Sequence, residues 1–218
     1  MIVIEDNFYP NPDEVRENAL KMFFHPGMKG KKALFAGRRT QGSFSAQNRL
    51  YCKNRIEKLI NRKIITFPAE SSNSAFTLGL ASEPWSNWIH HDSGDHEKDR
   101  YKQNKSVMFA AVCYLTPNPP PGHGTGLFRH KDTQSNWVVP DIKLTSKPTF
   151  KNEWKGDSEY YLHTYSDNLY NRIIVYPAKY WHAPFDAGFG HDRDTGRLIQ
   201  VFFFHAEASG VERGYEWI

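Results

Sequence analysis

Ten histidines occur among the 218 residues, and the one in the most informative setting is His90, within Trp88-Ile89-His90-His91-Asp92. The apolar and aromatic residues ahead of it read as a strand, where residues two apart project from the same face. His90 and Asp92 therefore point together, and His91 points away. An imidazole beside a carboxylate suits a divalent metal, but two ligands leave the metal under-coordinated. His182 is the best third donor, because it follows the apolar run through Val175 and Tyr176 and a turn opened by Pro177. Two imidazoles and one carboxylate make the facial triad that leaves positions open on Fe(II) for a co-substrate and dioxygen. A His-x-Asp triplet also arises by chance, and the plainer reading is that His90 and Asp92 only hydrogen-bond one another near a turn.

Past a polar turn from Gly188 to Gly196, Arg197 opens the otherwise apolar run Leu198-Ile199-Gln200-Val201-Phe202-Phe203-Phe204. A guanidinium entering a core there needs an anion, and a carboxylate accepts it through bidentate, charge-assisted hydrogen bonds. The distal carboxylate of a bound 2-oxo acid is one such partner. Asp192 or Asp194, met at the solvent end of the strand, is the other. The order His-x-Asp, strand, distant His, then Arg fifteen positions later favours the first.

These residues need a scaffold, and the pattern around them is mostly strand. Ile2 to Ile4 reads as a short strand. Asn11 as cap, Pro12 in the first turn and Glu14 reaching back start a helix from about 12 to 24, with Val15, Ala19, Leu20 and Phe23 on one face. A second helical pattern spans 46 to 60, with Leu50, Ile56, Leu59 and Ile60 sharing a face. Strands are then expected at 63–67, 75–80, 88–92, 107–115, 126–129, 172–176 and 197–205. With 15% aromatic residues, 15 Gly and 13 Pro, this predicts a mainly β chain with N-terminal helices, a sheet sandwich or barrel. The length fits one domain over 1–218. The stretch at about 131–170 is polar, aromatic and weakly periodic, and is expected to be an insertion, either a lid or substrate loop or a decorated surface loop.

The net charge of +4 is modest, and basic residues alternate with acidic ones, as from His96 to Arg100. A basic run at Lys29, Lys31, Lys32, Arg38 and Arg39 could meet an anionic partner such as nucleic acid. A charged loop broken by Gly30 and Gly37 is the preferred reading. Cys52 and Cys113 sit in separate apolar segments and read as small core residues rather than a disulfide. No stretch approaches a membrane span, and the segment Met1 to Asp6 has no basic region leading into a long apolar run, so a soluble, cytoplasmic protein is expected.

The order His90-x-Asp92, His182, Arg197 resembles the 2-oxoglutarate- and Fe(II)-dependent oxygenases. The strings Asp6-Asn7-Phe8-Tyr9-Pro10-Asn11-Pro12, Gly124-Thr125-Gly126-Leu127-Phe128-Arg129-His130 and Asn171-Arg172-Ile173-Ile174-Val175-Tyr176-Pro177 are similar to a poorly characterised bacterial and phage branch of them. The resemblance implies a double-stranded β-helix, the jelly-roll, cupin-like core. It also implies iron held by His90, Asp92 and His182, and 2-oxoglutarate held by Arg197, with Tyr114 completing the carboxylate site. In many members the arginine lies nearer the distal histidine and is followed two residues later by Ser or Thr. Here the gap is longer and Ile199 takes that place, so Arg193 competes with Arg197.

The implied reaction couples oxidative decarboxylation of 2-oxoglutarate to hydroxylation of a substrate: an amino-acid side chain, a peptide or protein such as a prolyl one, or a small molecule. Asp92 argues against halogenation, since halogenating relatives leave that position to chloride. Trp85, Trp88, Tyr101, Trp181 and Phe185 flank the ligands as core or pocket aromatics. Gly122, Gly124 and Gly126 around His123 read as a turn beside the site. Two other classes compete: a zinc hydrolase using the same three residues, and a catalytically silent jelly-roll binding protein.

Overall fold

The computed structural model describes residues 1–29, 32–69, 73–83, 89–92, 106–137, 159–185 and 188–208. In chain order the elements are β1 (Val3–Glu5), α1 (Pro12–Lys21), β2 (His25–Lys29), β3 (Lys32–Arg39), α2 (Ala46–Ile60), β4 (Ile64–Thr66), β5 (Ala75–Gly79), β6 (Ser106–Tyr114), β7 (Thr125–His130), β8 (Tyr160–Ser166), β9 (Ile173–Pro177), β10 (His182–Pro184) and β11 (Arg197–Glu207). The larger sheet runs β1-β9-β6-β11-β5-β3-β2, with β4 also paired to β11, and the smaller runs β10-β7-β8. Every strand pair is antiparallel. This is the mainly β, jelly-roll architecture expected from the sequence, a double-stranded β-helix braced by helices.

Strand alternation sorts the side chains of the larger sheet between two cores. On one face Phe76, Leu78, Phe109, Ala111, Cys113, Ile173, Val175, Leu198, Phe202 and Phe204 pack with Val15, Ala19, Cys52, Ile56 and Ile60 of the helices. On the other, Ala75, Ala110, Val112, Tyr114, Ile174, Tyr176, Ile199 and Val201 pack with Leu127 of the smaller sheet. Each large apolar side chain buried this way stabilises the fold by roughly 1.5–3 kcal/mol. A polar knot ties the helix layer to the sheet. The Tyr9 hydroxyl donates to Gln200 Oε1, and Gln200 Nε2 donates to Asn48 Oδ1 at 3.2 Å and to the Ser74 carbonyl at 3.0 Å.

Helix α2 has the expected bounds, capped by Ser45 Oγ accepting the Asn48 amide at 3.0 Å and ended by Asn61 in the left-handed region. Its buried face is Asn48, Cys52, Ile56 and Ile60, whereas Leu50 is exposed. Helix α1 stops at Lys21 rather than near 24, leaving Phe23 exposed, and Asn11 makes no side-chain cap bond. Both cysteines are buried and free.

Three expectations are corrected. The basic run is not a loop: β2 and β3 form an antiparallel hairpin, in which Lys31 lies outside the described residues. The strand expected at 88–92 reduces, within 89–92, to a bridge at His90. The interruption expected over 131–170 contains β8, paired along its length to β7, so that part belongs to the smaller sheet. Residues 138–158 lie outside the described residues, as do Trp85, Trp88, Tyr101 and the stretch 96–100. No helix among the described residues is long and apolar enough to cross a membrane.

Candidate metal centre

His90, Asp92 and His182 converge on the inner side of the smaller sheet, and one ligand atom from each lies within 4.8 Å of the others. The main chain sets this. The His90 amide donates to the His182 carbonyl at 2.9 Å, the His182 amide donates back at 2.8 Å, and the Asp92 amide donates to the Ala178 carbonyl at 2.8 Å. His90 and His182 thus face each other across an antiparallel bridge, their ring centroids 4.3 Å apart. Asp92 reaches both, with Oδ2 at 3.2 Å from His182 Nε2 and Oδ1 at 3.9 Å from His90 Nε2. His91 turns away, edge-on to Trp181. Two-residue periodicity therefore placed the side chains even though only His90 is bridged.

His182 is 5% exposed, and its Nδ1 lies 2.9 Å from the Tyr180 carbonyl. A carbonyl only accepts, so Nδ1 carries the proton and Nε2 is the atom directed at the cluster. This is the arrangement that fixes the tautomer of metal-binding imidazoles. Burial drags the His182 pKa down, but the charge and hydrogen bond of Asp92, with the Tyr180 carbonyl, outweigh it and leave a net rise. Burial likewise pushes Asp92 up, and His182, His90 and Arg39 together bring it below the usual carboxylate value. A borderline dication would meet two imidazole nitrogens and one carboxylate, a donor set that suits iron, zinc or related metals.

Arg197 begins β11 at the opposite flank of the interior and is 2% exposed, its Nε donating to the His123 carbonyl at 3.1 Å. Asp192 is engaged within its own turn instead, its Oδ1 accepting from Thr195 and from the Asp194 amide. Arg193 is remote from this region. It donates to the carbonyls of Leu20 and Met22 and stacks on Phe24, closing the end of α1. The Tyr114 hydroxyl donates to Thr125 Oγ1 at 2.7 Å, and burial raises its pKa against the pull of Thr125 and Arg197. Nearby, Asn168 Nδ2 donates to the same His123 carbonyl at 3.4 Å. Asn168 Oδ1 is buried and has no hydrogen-bond partner among the described residues, while Ser166 Oγ lies beside the Tyr114 hydroxyl. Orphaned polar atoms of this kind mark a place where a polar ligand or water belongs.

Of the glycines around His123, Gly122 lies in a turn and Gly124 in a bend, whereas Gly126, also expected in the turn, belongs to β7. A side chain at Gly124 would collide with the Ser166 carbonyl, so the bare backbone lets the turn close against β8. Of the flanking aromatics, Trp181 packs outward with Phe128 and Tyr160, with Phe185 against the same cluster. Tyr176 instead lies against the His182 ring, 4.9 Å between centroids. Sequence reasoning missed Tyr176, Thr125, Ser166 and Asn168. The available signal was alternation: Thr125 shares a face with Leu127, and Tyr176 with Ile174.

Among solved structures, the chain is similar to a prolyl hydroxylase from Trichoplax adhaerens in complex with a hypoxia inducible factor oxygen degradation domain peptide fragment. The TM-score is 0.55 at 12% identity, covering 99% of this chain and 86% of that one. It is also similar to AviO1 from Streptomyces viridochromogenes, with a TM-score of 0.52 at 8% identity, covering 95% and 90%. At such identities the likeness establishes the shared jelly-roll fold. No curated protein matches the sequence. Residues 1–204 match the family of unknown function DUF6445, and the chain belongs to that family.

Proposed function

We propose that this chain is an Fe(II)- and 2-oxoglutarate-dependent dioxygenase that hydroxylates an organic substrate. The observation carrying this reading is the convergence of His90, Asp92 and His182 on one point of the jelly-roll interior, with His182 Nδ1 tied to the Tyr180 carbonyl. His90, Asp92 and His182 would hold the iron. Arg197 and Tyr114 would bind the distal carboxylate of 2-oxoglutarate, with Thr125, Ser166 and Asn168 supplying polar atoms around it. When bound, the metal and co-substrate supply the activation of dioxygen and the oxidation of the substrate.

The protein's own contributions are positional and electrostatic. The His90–His182 bridge fixes two donor nitrogens against each other before any metal arrives, and Asp92 balances charge at the centre. The apolar inner face, with Ile199, Val201, Val112 and Leu127, keeps water from the reacting atoms. Arg197 offers a co-substrate carboxylate a buried cation whose hydrogen bonds are stronger than they would be in water.

An anaerobic titration tests the reading. Fe(II) and 2-oxoglutarate added together should develop a weak visible charge-transfer band, and admission of air should yield succinate. Tight zinc binding with no band and no succinate would favour a hydrolase at the same triad. Absence of metal binding altogether would leave a jelly-roll binding protein.

A further inference from the structure

The β3 strand brings a second arginine to this interior from the other side. Arg38 and Arg39 alternate: Arg38 turns outward to pair with Glu83, while Arg39 is half-buried and its Nε donates to Thr77 Oγ1 at 3.0 Å. Thr77 is itself buried. Sheet register puts these residues in one cross-strand row. Arg39 pairs with Thr77, Thr77 with Ile199, and Ile199 with Tyr114. Ile199 and Tyr114 belong to the inner core, so Arg39 lies at the far end of the row whose near end is the proposed co-substrate anchor. Three strand spacings separate the ends, roughly 14 Å. Asp92 of the triad lies within electrostatic reach of Arg39 and of Tyr176.

We propose that Arg39 is the substrate-recognition residue of this interior site, and that the substrate carries an oxyanion group, a carboxylate or a phosphate, which the guanidinium clamps. The proposal rests on the oxygenase reading above and adds the substrate class. With Arg197 and Tyr114 holding 2-oxoglutarate on one flank, Arg39 stands on the flank left to the substrate. An anion fixed there would set a carbon of the same molecule near the triad. A guanidinium matches both oxyanions through its fork of donors, and a lysine would not reproduce that geometry. Burial lowers the Arg39 pKa to about 10, so the side chain remains cationic at neutral pH.

The test uses Mn(II)-loaded protein saturated with 2-oxoglutarate and reads paramagnetic relaxation of three probes: acetate protons, the phosphorus of inorganic phosphate, and acetamide protons as a neutral control. At least one anion should relax faster than acetamide, and which one does so separates carboxylate from phosphate. Arg39→Gln should raise the half-saturating anion concentration by about 10- to 100-fold, the weight of a lost charge-assisted hydrogen bond. Arg39→Lys should fall between, which guards against a folding defect in the Gln variant. No enhancement by either anion, or equal enhancement in Arg39→Gln, overturns the proposal. Loss of Mn(II) binding in Arg39→Gln also overturns it, and makes Arg39 a support for the Asp92 carboxylate. The methylene protons of 2-oxoglutarate report separately: if they do not relax, the oxygenase reading fails while the anion measurement still reads Arg39.

Discussion

Replacing Arg197 with Gln tests the proposed co-substrate site most directly. Gln keeps a donor for the His123 carbonyl, which Arg197 Nε meets at 3.1 Å, but removes the charge. Because Arg197 is 2% exposed, a carboxylate bound to it would form a buried, hydrogen-bonded charge pair. Truncating one partner of such a pair costs roughly 2–5 kcal/mol, a factor of about 30 to 5000 in dissociation constant. At about 100 times its wild-type Kd, 2-oxoglutarate should stabilise the folded protein by about 2.7 kcal/mol. A 30-fold weaker variant keeps only about 0.9 kcal/mol of that under the same conditions. For a chain of this size 1 kcal/mol moves Tm by about 2–4 °C. The ligand-induced shift should therefore fall from about 5–11 °C to about 2–4 °C or less. The assay is a thermal scan of Mn(II)-loaded protein with and without 2-oxoglutarate, with Mn(II) content measured in parallel and expected to stay the same. An undiminished shift in Arg197→Gln would refute the anchor. Arg193 could not easily take over, since it is spent on the carbonyls of Leu20 and Met22.

Other substitutions separate the site from its scaffold. His182→Ala should abolish stoichiometric Fe(II) binding and succinate formation, whereas His91→Ala, whose ring lies against Trp181, should leave metal content unchanged by elemental analysis. The opposite pattern would mean that the phase of residues 89–92 is misread. Gly37→Ala should lower Tm, because Gly37 has φ of +73° and a Cβ there would lie 2.3 Å from the Leu78 carbonyl oxygen. The left-handed conformation alone costs roughly 1–2 kcal/mol, or at least about 2 °C, and an unchanged Tm would show that β3 can shift freely against β5. Tyr9→Phe should destabilise by roughly 1–3 kcal/mol in urea unfolding by leaving Gln200 Oε1 without its donor. A wild-type midpoint would remove the polar knot from the account of stability.

Much of this architecture was readable because it is local. The α2 bounds follow from the helical spacing of Ile56, Leu59 and Ile60, although Leu50, expected on the same face, is exposed, and the strands of the inner sheets follow from apolar runs longer than any loop would need. His90, Asp92 and the turned-away His91 follow from alternation, which holds over residues 89–92 although only one bridge forms. What could not be read is non-local. β10 is three residues long and exists because His182 to Pro184 align with Thr125 to Leu127. β8, with its exposed and half-buried residues, looks like a polar insertion until β7 lies beside it. The β2–β3 hairpin looks like a charged loop because its lysines and arginines hide the pairing of the two strands.

The two arginines show the same limit from both directions. Arg197 could be singled out because every residue from Leu198 to Phe204 except Gln200 is apolar, and a lone charge at the head of such a strand must be answered. Arg39 stands beside Arg38 in a run of basic residues, where one-dimensional pattern predicts solvent for both. Only the register of β3 against β5 assigns Arg38 to Glu83 and Arg39 to Thr77 and the inner face. A one-residue slip of β3 would exchange them. The recognition of an anionic substrate would then depend on the same close approach of Gly37 to Leu78 that holds the hairpin in register, so a variant that loosens β3 should lose anion binding before it loses metal.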